Sequence, residues 1–298
     1  MDTLAAHLSE SLVGELVGAV GLPKNKLTHT IFWRLFRPIT DRLANLGAPY
    51  DRIINEQGFP AGNAWALTNF CDDLQVQHIE RIPQGGPLLV ASNHPGTYDS
   101  LALFSILEGH DIRCVSSVIP FLELLPHARQ YLLFTPKDDV RERMLVFRRA
   151  IQHLQGGGAV VFFGSGHRDP DPAVYPGADQ TFDRWLKVFD AFFKYVKELR
   201  ILPMTVSGVI LRKWARHPIT WFRRKQIDKQ RLAEFGQVIT QLLKPGRLMM
   251  QPRISVGLPF SEGDLRAEVG SGSLHEVVVG RARDTYEESR AYFGDFLP

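Results

Sequence analysis

A chain of 298 residues has room for one large domain, or for one domain with a helical extension. Its 44% hydrophobic, 22% charged and 10% aromatic residues exclude a disordered chain, a collagen-like one and a disulfide-stapled mini-protein. The net charge of +3 is too small to predict a nucleic-acid partner, and the two cysteines, Cys71 and Cys114, imply no disulfide framework and fit a reducing compartment.

The opening Met1-Asp2-Thr3-Leu4 carries an acid, and Glu10 and Glu15 interrupt the apolar stretch that follows, unlike the basic start and clean apolar segment of a secretory signal. No apolar run approaches the roughly 18 to 20 residues that cross a bilayer. A cytoplasmic protein that is not integral to a membrane is expected. Residues 1–73 read as a helical segment without strong strand signals. From residue 74 to 298, short apolar runs alternate with helical patterns, and strands are predicted at 74–80, 87–92, 112–118, 131–135, 159–163, 201–209 and 249–258. A helix over 138–155 opens with two acids and stops at Gly156-Gly157-Gly158, with Val140, Met144, Phe147, Ile151 and Leu154 on one stripe. A second helix over 179–198 places Phe182, Trp185, Phe189, Phe192 and Val196 on a stripe that reads as core. Pro203 falls inside a predicted strand and suggests a strand end or a bulge. Strands alternating with helices make the fold class α/β, a largely parallel central sheet flanked by helices with an N-terminal helical segment.

The chemistry concentrates in two loops. In Gly85-Gly86-Pro87-Leu88-Leu89-Val90-Ala91-Ser92-Asn93-His94-Pro95-Gly96-Thr97-Tyr98-Asp99, an apolar strand runs into a short polar loop and a helix start. Ligands in open α/β sheets bind at the carboxyl ends of strands, where His94 would sit. Four residues separate it from Asp99, a span short enough to fold the carboxylate onto the imidazole, fix its tautomer and raise the basicity of the other nitrogen. Asp99 is equally well placed to cap the helix. In the second loop, Gly164-Ser165-Gly166-His167-Arg168-Asp169-Pro170-Asp171-Pro172, the glycines allow a phosphate or hydroxyl close to the backbone and Arg168 offers a forked phosphate donor. A tight turn with Arg168 paired to a neighbouring acid accounts for the same residues.

Taken in order, Asn93-His94 with Asp99, Phe163-Gly164-Ser165-Gly166-His167-Arg168, and Ile201-Leu202-Pro203 resemble the three motifs of the phospholipid/glycerol acyltransferase family, N-H-x4-D, F-P-E-G-T-R and an apolar-proline run. Around Ser165-Gly166, Arg168-Asp169 and Asp171-Pro172 the chain looks closer to the soluble plastid-type glycerol-3-phosphate acyltransferases. The chain departs from the family at Ser165, where most members have glutamate, at Pro170, where the plastid-type enzymes have a second arginine, and ahead of the 138–155 helix, where the basic residues reduce to Lys137. The resemblance implies an O-acyltransferase of phospholipid biosynthesis that moves a fatty acyl group from acyl-CoA or acyl-carrier protein to a glycerol-phosphate or lysophospholipid hydroxyl. It implies His94 and Asp99 as the catalytic pair and Asn93, Lys137, Ser165, Gly166, His167 and Arg168 as substrate-binding, with no metal and no cofactor. Loop amides at 95–97 and the helix start at Asp99 are the expected oxyanion donors.

Two other readings use the same residues. Ser165 between glycines invites comparison with the nucleophile of a serine hydrolase or thioesterase, although Phe163 and His167 stand where that motif needs glycine. Two basic-aromatic segments also suit contact with an anionic membrane, whether in the acyltransferase, held peripherally at the inner face, or in an inactive lipid-binding protein. Segment 24–42 has Lys24, Lys26, Arg34, Arg37 and Arg42 around Ile31, Phe32, Trp33, Leu35 and Phe36, and segment 212–231, from Arg212 to Arg231, has eight Lys or Arg with Trp214, Trp221 and Phe222.

Overall fold

A computed structural model describes residues 26–136, 139–269 and 273–294. In chain order the elements are α1 (Lys26–Gln57), α2 (Phe59–Thr68), β1 (Gln75–Gln77), β2 (Leu88–Ser92), α3 (Tyr98–Ser105), β3 (Ile112–Ser117), α4 (Pro120–Glu123), β4 (Leu132–Thr135), α5 (Val140–Gln155), β5 (Ala159–Phe163), α6 (Phe189–Tyr195), β6 (Arg200–Ser207), α7 (Arg212–Ala215), α8 (Gln226–Leu243), β7 (Arg253–Val256), β8 (Phe260–Ser261), α9 (Glu262–Val269) and α10 (Leu274–Phe293). The described strands form one sheet in the order β1-β7-β6-β2-β5-β3-β4, with β8 beside β6. The fold is α/β with a mostly parallel sheet, as predicted; β7 and β8 run antiparallel to β6.

β2 occupies the centre, parallel to β5 on one side and β6 on the other, with Ser92 level with Phe163 and Met204. Its five residues are all buried, as a run covered by helices on both faces requires. Alternate side chains divide between two cores. Leu88 and Val90 join α1 to α3 and α8 on one face, through Ile54, Phe59, Leu103 and Ala233. Leu89 and Ala91 join α5, α6 and α10 on the other, through Leu154, Phe189, Phe192 and Val278.

Several predicted elements differ in detail. The 74–80 strand is cut to Gln75–Gln77 because His78 takes a left-handed conformation and a short 3-10 helix follows. Helix α5 starts at Val140, where the Asp139 carboxylate caps the amides of Arg141 and Glu142 at 2.8 and 3.1 Å. Its predicted stripe is correct only from the middle onward. Val146, Ala150, Ile151 and Leu154 are buried, whereas Val140 and Met144 are exposed on the first turns. The 179–198 helix is broken into a 3-10 helix, Ala178–Arg184, and α6, because Leu186 N–H donates to the Gly164 carbonyl at 2.8 Å and pulls the chain out of helical geometry. Its aromatic stripe is nevertheless core. Pro203 sits within β6 and not at an end. Its neighbour on that edge changes there from β8 to β7, its carbonyl accepts from Gly257 N–H, and no ladder donor is missed. Of the first basic segment, Lys24 lies outside the described residues, and Arg34, Arg37 and Arg42 are exposed on α1.

Candidate active site

The parallel strands β2, β5 and β6 end on one edge of the sheet, and the two predicted loops meet there. Asn93 continues β2 and is buried. Its side-chain carbonyl accepts from Val206 N–H and its NH2 donates to the Val206 carbonyl, both at 2.8 Å. Both ends of this amide are thereby spent on bracing the loop against β6.

His94 follows, its ring tilted against Phe163 at 4.4 Å. Its Nδ1 lies 2.8 Å from Asp99 Oδ2. The same oxygen accepts from Gly96 N–H at 2.9 Å, and Ser100 Oγ donates to the other oxygen at 2.9 Å. A carboxylate can only accept, so the proton on this side belongs to Nδ1 and the lone pair to Nε2. The Asp99 side chain is fully buried and the imidazole one quarter exposed. Burial opposes the charged ring, but the charge and hydrogen bond of Asp99 outweigh it and raise the His94 pKa above its ordinary value of 6.5, with Arg168 pulling down and Asp169 up. Asp99 turns back to the loop and does not cap the helix, which Thr97 precedes.

The second loop is pinned to the first. Asp169 and His94 exchange two hydrogen bonds, Asp169 N–H to the His94 carbonyl at 2.7 Å and His94 N–H to Asp169 Oδ2 at 2.9 Å. Thr181 Oγ1 donates to the other Asp169 oxygen, and burial raises the pKa of this acid. Asp171, wholly buried, accepts from the amides of Ala173, Gly208, Val209 and Ile210 at 2.9 to 3.0 Å and so ties the loop to the end of β6. Desolvation outweighs those four bonds and lifts its pKa to about 6. Gly164 is required where it is, since a Cβ there would run into the Trp185 indole.

Among the predicted binding residues, Gly166 and His167 are exposed, and Arg168 is partly buried. Ser165 is buried, its hydroxyl donating to the His167 carbonyl at 2.8 Å and accepting from His167 N–H at 3.1 Å. Lys137 lies outside the described residues. Arg168 pairs with Glu234, whose second oxygen accepts from Thr97 N–H. The expected oxyanion donors of the loop therefore need correction: Pro95 has no N–H, Gly96 N–H is held by Asp99 and Thr97 N–H by Glu234.

The residues missed in the sequence come from α8. Gln230 donates to the carbonyls of Pro95 and Asp169 at 2.6 and 2.7 Å and so bolts the two loops together. Glu234, Gln237 and Gln241 follow at one-turn spacing, all buried on the same face. The positions 230, 234, 237 and 241 are the signal: an amide-and-acid stripe with helical period, where an ordinary core stripe would be apolar.

No protein-family model matches the chain, and no curated protein matches it. Among solved structures it is similar to the 1-acyl-sn-glycerophosphate (LPA) acyltransferase PlsC from Thermotoga maritima, with a TM-score of 0.44 and 16% identity over 94% of each chain. At that distance the likeness assigns no residue a role.

Proposed function

We propose that the chain is an O-acyltransferase that moves an acyl group from a thioester to the hydroxyl of a glycerolipid acceptor, with His94 as general base and Asp99 as its positioning partner. The observation that carries this reading is the 2.8 Å contact from His94 Nδ1 to a fully buried carboxylate at the carboxyl end of the central strand. His94 Nε2 takes the proton from the acceptor hydroxyl as its oxygen bonds to the thioester carbonyl carbon. The tetrahedral intermediate then expels the thiolate, which recovers the proton from Nε2. The motif resemblance around Asn93-His94 and Asp99 supports acyl transfer as the reaction. The acceptor it implies, a glycerol phosphate or a lysophospholipid, depends on Arg168, whose guanidinium is engaged by Glu234.

Access to a lipid acceptor has its own support. Trp221 and Phe222 are 75% and 87% exposed on the segment that leaves β6 at the edge where His94 sits, among Arg212, Lys213, Arg216, Arg223, Arg224 and Lys225. No described helix is long and apolar enough to cross a membrane. Exposed aromatics among basic side chains fit peripheral binding to an anionic bilayer.

The test is thiol release from a long-chain acyl-CoA with and without glycerol 3-phosphate, lysophosphatidic acid and uncharged alcohols. Acceptor-dependent release is expected, falling about 10²–10⁴-fold in His94→Ala. Release that needs no acceptor, survives loss of His94 and disappears in Ser165→Ala would replace this reading with a hydrolase. The internal bonding of the Ser165 hydroxyl to His167 favours the transferase.

A further inference from the structure

A phosphorylated acceptor would depend on Arg168, and inside the protein Arg168 already has an anion. Glu234 reaches from α8 to both loops at once, taking Thr97 N–H on one oxygen and the Arg168 guanidinium on the other. Its side chain is 4% exposed, against 25% for Arg168. The carboxylate is seated closely enough that a Cβ on Gly96 would stand 3.0 Å from its Oε1. A backbone N–H and a guanidinium converging on two oxygens of one anion is the arrangement that binds a phosphate. Here the chain supplies that anion itself.

The surroundings leave little room for a second anion. Asp99, Asp169 and Glu234 each hydrogen-bond the 94–97 loop or its imidazole, and Asp171 lies two residues beyond Asp169. A dianionic phosphate would have to displace Glu234 into the interior or share Arg168 with it, beside carboxylates already out of water. Either course is costly in a low-dielectric site. An uncharged donor lies near these acids, within the core beside them. The Tyr175 hydroxyl is buried with no hydrogen-bond partner among the described residues, and the charges of Asp171 and Glu234 act on it. Such a group suits an alcohol or ether oxygen.

We infer that Glu234 is a built-in counter-ion that sets acceptor choice: it holds the anion position at Arg168, so the site takes the hydroxyl of an uncharged alcohol, of the monoacylglycerol kind, and rejects a phosphomonoester. The choice of acceptor rests on the acyl-transfer reading; the exclusion of the anion does not.

Calorimetric titration separates the two. Glycerol 3-phosphate and inorganic phosphate are titrated into the wild type, Arg168→Ala, Glu234→Gln and Glu234→Gln/Arg168→Ala, with circular dichroism to establish folding. The wild type is expected to show no Arg168-dependent binding, Glu234→Gln to bind at least about tenfold more tightly, and the double variant to lose that gain. Arg168-dependent binding of glycerol 3-phosphate by the wild type overturns the inference, as does a folded Glu234→Gln that gains nothing. Should Glu234→Gln not fold, the wild-type titration stands beside an acceptor panel in which kcat/KM for monoacylglycerol should exceed that for lysophosphatidic acid about tenfold; the reverse order overturns the inference. If no acceptor is acylated while phosphate binding appears in Glu234→Gln as expected, the counter-ion role stands and the acyltransferase reading fails.

Discussion

The imidazole of His94 is held by one oxygen of Asp99, and that oxygen also holds the Gly96 amide, so the acid orients the ring and the loop together. The net effect of its surroundings raises the His94 pKa above 6.5, and the proposed base role needs the neutral ring, which is scarce at mildly acidic pH. The rate should therefore climb with pH and level off only above 6.5. By linkage, the stability that protonated His94 contributes is full below 6.5 and lost as pH rises through the raised value. Asp99→Asn removes the upward pull and offers Nδ1 a partner that can donate. Its pH-rate midpoint should move down and kcat fall about 10²-fold or more. A pH profile of kcat/KM for both proteins checks this, and an unshifted midpoint would mean that Asp99 does not set the basicity of His94.

At the scale of elements, two loops that follow different strands behave as one piece because buried polar side chains join them. Asp171 collects four backbone amides and Gln230 two carbonyls, and neither group has access to water as an alternative. Asp171→Asn keeps the shape but turns an NH2 toward amides that need an acceptor. It should cost about 1–3 kcal/mol in urea unfolding at pH 7. The sign with pH is fixed by the raised pKa. The contribution of protonated Asp171 is full below its ordinary 3.8 and lost as pH rises through about 6, so the gap between wild type and variant should widen as pH falls from 7 toward 4. A gap that stays constant would mean that Asp171 keeps an ordinary pKa in the folded protein.

Across the whole molecule, the edge that carries His94 is also the edge from which apolar and basic groups project. Val118 and Ile119 follow β3, Val140 and Met144 open the helix after β4, and Trp221 and Phe222 stand on the excursion after β6, all of them exposed. An enzyme that takes its acceptor from a bilayer would turn this edge toward it. Replacing Trp221 and Phe222 together by serine should lower partitioning onto anionic vesicles about tenfold or more and leave the thermal transition in place, since neither side chain packs in a core. Vesicle co-sedimentation at low and high salt reads both the aromatic and the electrostatic contribution, and unchanged sedimentation of the double variant would remove this face from membrane contact.

Local order along the chain was enough to read the α/β class, the central buried strand and the His94 to Asp99 spacing, because burial on both faces, helical period and a four-residue loop are each written in consecutive residues. The same local order misled where a remote partner decided. The 179–198 helix is broken by an amide of Leu186 bonding to Gly164, the early stripe of α5 is exposed, and the loop amides are spent on Asp99 and Glu234. Glu234 and Gln230 lie more than sixty residues beyond Arg168 and Asp169 and could be assigned to them only once the chain had folded. A hydrogen bond or ion pair depends on distance in space, and sequence spacing encodes that distance only within one element or one short loop. The pairing of His94 with Asp99 was therefore legible in the sequence, whereas the pairing of Arg168 with Glu234 was decided by tertiary structure.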